Sequence, residues 1–474
     1  MPKPLKISIW VVSGLAVGLA LVAAAVVLFL DANAFKPQLE AAASRAMGME
    51  VQIDGNVSVG LFPGVHLTLE GAQIHNRGIK VGTAQQAKLG IELLPLFKQQ
   101  ARVTTVSLRN AKLTIERDRN GVFSFENTEK PKGTPRTLDL KSLSVVHATV
   151  LYVDKQSGKE LEASDCKLDA SRLRLTGTAG TDLLKNLHIT ADMACTRVAT
   201  NDFVASDVKL SAQGDNGIIH LKPISMQIFS GQGSGQVDAD FSGQVPQWQI
   251  HYSLTKFRIE EFLELHKPKQ TVKGLMDFSV KLSMQGKTQN ALHQTAAGEA
   301  SLRGQNLRLD GRDLDRELNR YASTQNFNLV DAGALFFAGP LGLAVTKGYD
   351  FANLFRGKKG SSSIRVLVSE WKVERGVAEA KDVAMATAEN RLALKGDLDF
   401  VNKRYEHVTV AIVDARGCTL VRQKIRGPFD KPVVEKPNII KTVAGPAVKL
   451  LSKTKGILTG RHCEMFYSGS VAPP

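Results

Sequence analysis

The chain has 474 residues, 61 Lys and Arg against 46 Asp and Glu for a net charge of +15, and 43% hydrophobic but only 6% aromatic residues. That length admits two or three ordinary domains or one elongated architecture of repeated units, and the composition is that of a folded chain. The basic residues are scattered singly among strand-like segments rather than clustered beside aromatics, which argues against nucleic acid as a partner and leaves an anionic membrane surface as the partner the charge fits.

The first feature in chain order is Ile7 to Leu30, a run without one ionisable side chain. A helix of roughly twenty apolar residues crosses a bilayer, so residues 1–30 read as a transmembrane anchor. Lys3 and Lys6 precede the run and Asp31 follows it, placing the N-terminus in the cytoplasm and the bulk of the chain across the membrane. Ala32-Asn33-Ala34 imitates a signal-peptidase site, but the apolar run exceeds the roughly 7 to 15 residues of a signal h-region, which favours an uncleaved anchor. A helix follows, with Asn33 as a candidate cap, Pro37 in its first turn and Gly48 as its stop.

The hydrophobic period then changes from about four to two. In VQIDGNVSVGLFPGVHLTLEGAQI, residues 51–74, Val51, Ile53, Val57, Val59, Leu61, Val65, Leu67 and Leu69 share one parity, and polar side chains fill most of the other. A strand sends these sets to opposite faces. The preceding helix and the β region after it are expected to make one segment over 31–130, with NTEKPKGTPRT interrupting the strands and residues 131–137 as a polar linker.

Residues 138–311 carry shorter bursts of the same alternation. The clearest is Met276, Phe278, Val280, Leu282 and Met284, interleaved with Asp277, Ser279, Lys281 and Ser283. SGQGSGQ at 230–236 reads as a turn between strands, not as a phosphate-binding loop, because no helix follows to receive a phosphate. Residues 312–356 break the pattern: Leu314, Leu318 and Tyr321 form a helical stripe, and an apolar stretch interrupted by glycines and Pro340 reads as buried packing. Strands resume over 357–435. Residues 436–474 read as an amphipathic helix, kinked at Pro446, and a tail; a membrane, a partner or the end of the sheet could receive its apolar stripe.

The ten His residues form no HExxH or other helical pair, and there is no P-loop and no GxSxG between strand and helix. The chain therefore reads as non-enzymatic, with no catalytic residue, cofactor or metal site. Cys166, Cys195, Cys418 and Cys463 form no CxxC. In an oxidising compartment the local pairing is Cys166 with Cys195 and Cys418 with Cys463, but three connectivities are formally open, as are four buried free thiols.

The opening DANAFKPQLEAAASRAMGMEVQIDGNVSVGLFPGVHLTLEGAQIHN resembles the start of AsmA family proteins, with Asp31, Asn33, Gly48, Gly55, Pro63 and Gly71 at matching positions. LLPLFKQQARVTTVSLRNAKLTIERDRNGVFSFEN continues the likeness through Pro95-Leu96 and an Asn120-Gly121 turn before a Phe123–Phe125 strand. KDVAMATAENRLALKGDLDF and KIRGPFDKPVV look like the family's C-terminal region, while 138–310 matches only in style. The resemblance implies a Gram-negative inner-membrane protein with its bulk in the periplasm, related to the bridge-like lipid carriers TamB and YhdP and linked to outer-membrane biogenesis, phospholipid transfer being the leading role.

The expected fold is thus mainly β: a single N-terminal transmembrane helix, then an elongated, curled antiparallel β-sheet of roughly 25 to 30 strands forming a hydrophobic trough, with a few helices. Val57, Val59, Leu61, Val65, Leu67, Leu69, Met276, Phe278, Val280, Leu282 and Met284 are the candidate groove residues for phospholipid acyl chains. The alternative function is a scaffold for outer-membrane or other envelope proteins, acting through exposed strand edges.

Overall fold

Alternating side chains commit a segment to a pleated strand whenever one of its faces can be covered, and in the computed structural model of the protein strands dominate. The structure describes residues 32–61, 64–92, 102–125, 136–177, 184–264, 272–311, 313–324, 360–435, 438–439 and 463–474. The Ile7–Leu30 run, most of the 312–356 segment and residues 440–462 of the C-terminal amphipathic stretch lie outside these. No described helix is long and apolar enough to cross a membrane. The chain divides into two units, Met1–Asn201 with Ser211–Asn216, and Asp202–Leu210 with Gly217–Pro474.

In the first unit a 3-10 turn, Ala32–Phe35, leads into helix α1, Lys36–Met47. Gly48 ends α1 in the left-handed conformation (φ 68°), donating its N–H to Ser44 O. Then come β1 (Glu50–Ile53), β2 (Val57–Gly60), β3 (His66–Asn76), β4 (Ile79–Ile91), β5 (Val103–Arg117), β6 (Arg136–Asp154), β7 (Lys159–Gly177) and β8 (Leu187–Thr200). The long β3 carries both short strands on one side, Val51 opposite Ile74 and Val57 opposite Leu69. Its core is small: Ile53, Val57, Leu69, Ala87 and Ala32, with Leu39 packed against them.

One junction departs from the expected antiparallel meander. β5 and β6 run parallel, Thr105 opposite Ser142 and Arg117 opposite Asp154. After β5 the chain turns at Asn120-Gly121 and begins a hairpin, but the expected Phe123–Phe125 strand amounts to a single bridge between Phe123 and Arg117. A parallel neighbour needs a crossover of a dozen or more residues, and the polar 118–135 connection is long enough to supply it.

Strand β9 (Val204–Asp215) is split between the units. The second unit continues with β10 (Ile218–Ile228), β11 (Gly231–Asp240), β12 (Gln247–Arg258), helix α2 (Ile259–Glu264), β13 (Val272–Lys273), β14 (Leu275–Gln285), helix α3 (Gln289–Thr295) and β15 (Ala297–Asp310). Helix α4 (Leu314–Thr324) follows, with Leu314 and Leu318 buried as the helical stripe required. Last come β16 (Ser361–Glu374), β17 (Val377–Ala386), β18 (Arg391–Asp399), β19 (Arg404–Val413), β20 (Thr419–Pro428), β21 (Val433–Val434) and β22 (Asn438–Ile439).

Strands β16–β19 are covered on both faces. Met385, Leu392, Val408 and Val410 are wholly buried on one side. Ala384, Ala386, Ala393 and Ala411 are equally buried on the other, beneath Phe466, Tyr467 and Val471 of the C-terminal segment. That segment, Cys463–Pro474, is strapped down by a disulfide to Cys418, by Ser470 N–H on Asp382 Oδ2 (2.9 Å) and by Arg391 donating to Val471 O (3.0 Å). This part of the sheet is closed core, not trough, because its strands are apolar at consecutive positions and so have two faces to cover.

Candidate functional site

The open apolar surface of the second unit is built by β10–β14. On β12, Phe257 and Leu254 are buried while Tyr252, Ile250 and Trp248 are half-buried; on β14, Met276 and Phe278 are buried while Val280, Leu282 and Met284 are half-buried. The register sets these rows side by side, Phe257 opposite Met276, Leu254 opposite Phe278, Tyr252 opposite Val280, Ile250 opposite Leu282 and Trp248 opposite Met284. Cover is lost steadily along both strands. At the closed end α2 turns Phe262 into an edge-to-face cluster, 5.5 Å from the Phe229 ring and 6.1 Å from the Phe257 ring. At the open end Trp248 meets Phe241 edge to face, ring to ring at 5.2 Å.

The glycine-rich stretch shapes this surface. It is strand, not turn: the reversal is made by Phe229 and Ser230, both at positive φ (52° and 56°), and Gly231, Gly233 and Gly235 lie within β11. All three sit on the apolar face. A Cβ on Gly231 would stand 2.6 Å from Phe257 Cα, one on Gly235 2.6 Å from His251 O, and one on Gly233 would strike the Tyr252 hydroxyl. The missing side chains give the Tyr252 ring a shelf to lie across, which puts a phenol in the floor of an apolar surface. Burial pushes the Tyr252 pKa up.

The first unit has its own one-sided surface. Leu108, Val145, Leu168 and Met193 stand opposite one another across β5, β6, β7 and β8, and all four are half-buried. None of these four is among the candidate groove residues. Among the candidates from the opening hairpin, Val57 and Leu69 are buried, packed with Ala32 and Leu39. Val59, Val65 and Leu67 are half-buried and Leu61 is exposed. The hairpin's apolar face is therefore covered at its centre by the chain's own entry turn and helix.

The residues before β1 also do a second task. Asn33, a candidate helix cap, caps nothing in α1, whose N-terminus has no side-chain cap; its Oδ1 accepts the N–H of Val57 at 2.9 Å. Glu40 Oε1 accepts Ile53 N–H at 2.7 Å and Ser44 Oγ accepts Val51 N–H at 2.8 Å, while Lys36 Nζ donates to Gly55 O at 3.3 Å. Lys36, Glu40 and Ser44 recur every fourth residue, one face of a helix, and that face satisfies the free edge of β1 and the turn after it, while Asn33 serves β2. An unpaired edge otherwise invites another chain to add a strand.

The far edge of β20 is likewise occupied. β21 pairs at Ile425 and Arg426, β22 at Val421 and Arg422, and Thr419 N–H donates to Glu464 O at 3.1 Å.

The cysteines pair as Cys166–Cys195 and Cys418–Cys463, and no described cysteine is free. Cys166 and Cys195 stand directly opposite on β7 and β8. Closing loops with separations of 29 and 45 residues stabilises by about 4 kcal/mol each or less. Among the described residues no three His, Cys, Asp or Glu gather where a metal ion could sit.

These features define a class, mainly β proteins whose sheet leaves one apolar face partly open. A family model described as AsmA family matches residues 1–185 and 180–340, and the chain belongs to the AsmA family. The match takes in the middle strands, where the sequence resembled the family only in style, and ends at residue 340, before the stretches likened to the family's C-terminal region. No curated protein and no solved structure matches the chain. Family and open sheet together fit a lipid-transport or envelope role.

Proposed function

We propose that the protein is a non-enzymatic carrier of phospholipid acyl chains, anchored by Ile7–Leu30 in the inner membrane of a Gram-negative cell, with its bulk in the periplasm, and serving outer-membrane biogenesis. The observation that carries this reading is the graded apolar surface of β10–β14: closed by Phe262 of α2 with Phe229 and Phe257, half-open at Val280, Leu282 and Met284. Burying a methylene stabilises by about 0.8 kcal/mol, so ten methylenes of one acyl chain gain about 8 kcal/mol without any charged contact. The alternative, a scaffold that pairs its strand edges with envelope proteins, has less support, since the edges of β1–β2 and of β20 are taken by the chain's own groups.

The test is mass spectrometry of lipids retained by the detergent-purified full-length protein. Phospholipid is expected in near-stoichiometric amount, and reduced in a Leu282→Asp, Met284→Asp double variant that keeps its thermal transition. Wild-type protein free of phospholipid, or a variant holding as much, would sink the carrier reading.

A further inference from the structure

The face of β10–β15 that points away from the apolar surface holds a cavity of about 540 Å³. Its floor is a row of hydroxyls, Ser234, Ser253, Ser279 and Ser301, each opposite the next across β11, β12, β14 and β15. Ser225 on β10 extends the row by one strand. Two residues along each strand, Gln236, His251, Lys281 and Glu299 form a second row in the same register and make one wall. Strand spacing sets the hydroxyls about 4.8 Å apart and the two rows about 7 Å apart.

The chemistry of this lining is specific. A serine hydroxyl both donates and accepts, so a row of them matches a ligand that itself repeats groups able to do both. Among the described residues none of the four hydroxyls has a protein partner, and Lys281 makes no ion pair. The wall offers donors in Lys281 and acceptors in Glu299 and the Gln236 amide oxygen. Gln236 Nε2 and His251 Nδ1 lie 3.2 Å apart, which fixes the orientation of both. Lys222, Pro223 and Ile224 close the β10 end, so part of the lining is apolar, but the serine row and the polar wall leave an acyl chain no continuous apolar bed. A phosphate would meet the Glu299 carboxylate, a peptide strand would need an edge rather than a face, and a nucleic acid would need aromatic rings to stack on.

We propose that this cavity is a binding site for a glycan, a linear polyhydroxylated chain laid across β11–β15 with its hydroxyls on the serine row and its flank against Gln236, His251, Lys281 and Glu299. The two polar rows are on the opposite face of the same strands from the proposed acyl surface; Tyr252 and Val280, which lie between the rows, are shared by the cavity lining and that surface.

The test is calorimetric titration of the detergent-purified full-length protein with cello-, chito- and dextran-derived oligosaccharides, with inorganic phosphate and a polyserine peptide run in parallel. At least one oligosaccharide series should bind saturably, with affinity rising with chain length up to the span of the row. A Ser253→Val, Ser279→Val variant should weaken it by about tenfold, since each lost hydroxyl removes a net hydrogen bond. Valine suits an exposed strand position, so the thermal transition should hold. Lys281→Ala, on the wall, should weaken binding as well and serves if the double variant misfolds. Retained lipid should be unchanged in either variant. No saturable oligosaccharide binding, affinity indifferent to both variants, or competition by phosphate or peptide in place of glycan would overturn the assignment.

Discussion

Asn33 Oδ1 accepts the backbone N–H of Val57 at 2.9 Å, joining the turn that precedes α1 to the free edge of β2. The bond satisfies a donor that strand pairing leaves over, and removing its acceptor leaves a partly buried N–H unsatisfied. Asn33→Ala should therefore cost about 1 to 2 kcal/mol and speed exchange of the Val57 amide. Asn33→Asp retains the acceptor and should leave both close to wild type. Hydrogen exchange read by NMR on the three proteins checks this, and an unaltered Val57 rate in Asn33→Ala would refute the edge-seal role.

Gly233 and Gly231 lie on the same strand and face, but different obstacles oppose a side chain at each. At Gly233 the obstacle is the movable ring of Tyr252; at Gly231 it is the backbone of Phe257, with Cα at 2.6 Å and N at 2.8 Å. Either glycine changed to Val should destabilise by about 1 to 3 kcal/mol, the usual penalty of overpacking. In a Tyr252→Ala background the penalty at Gly233 should largely vanish and that at Gly231 should persist. A double-mutant cycle in denaturant separates them; equal rescue at both positions would contradict the geometry.

The strap formed by Cys463–Pro474 should respond to acid. Burial alone would raise the Asp382 pKa, but the Ser470 N–H and the Tyr467 hydroxyl bind the ionised carboxyl and hold it below the ordinary carboxylate value. Burial and the bond to Asp382 together push the Tyr467 phenol well up, so it stays a donor. The ionised Asp382 is thus the form the strap grips. Its contribution is complete above the unfolded value of about 3.9 and is lost as pH falls through the lower folded value. The gap in Tm between wild type and Asp382→Asn should be constant near neutrality and close in acid. Thermal scans over a pH series test it, and a gap that persists into strong acid would rule out the carboxylate as the grip.

Alternation made much of this architecture legible, because it encodes which side chains share a face: β14 falls where Met276 to Met284 required, and the hairpin of β2 and β3 falls where Val57 to Leu69 did. It does not encode what covers the face or which strand lies alongside. The parallel join of β5 and β6 is therefore absent from the pattern, and so is the cover that Ala32 and Leu39 give the hairpin. Asn33 looks like a helix cap because a side-chain acceptor serves any free N–H, and only the fold decides whether a helix or a strand edge supplies it. Gly231, Gly233 and Gly235 look like a turn because glycine is both the residue of tight turns and the residue that admits a neighbouring ring. The closed core does carry a signal of its own: VAMA at 383–386, LAL at 392–394 and VAIV at 410–413 are unbroken apolar runs, the mark of strands buried on both faces, and the structure covers both faces there.

The burial gradient along β14 turns a single row of candidate groove residues into two classes with opposite expected behaviour. Phe278 is 8% exposed and belongs to the main core, where an unpaired carboxylate is costly. Phe278→Asp should therefore lower the yield of folded protein, by about 3 kcal/mol or more of stability, before any effect on a ligand can be read. Leu282 and Met284 lie two and three side chains further along the same face, half-buried opposite Ile250 and Trp248. Leu282→Asp or Met284→Asp reaches water at little cost to the fold, yet sets a charge where an acyl chain would lie. Each should lose lipid occupancy while its Tm stays within a few degrees of wild type, and Leu282→Ile should change neither. Paired measurements of Tm and co-purified phospholipid on these variants distinguish the classes. If Phe278→Asp folds as well as Met284→Asp, or if lipid falls only in proportion to stability, the open end of the sheet is not where the chains enter.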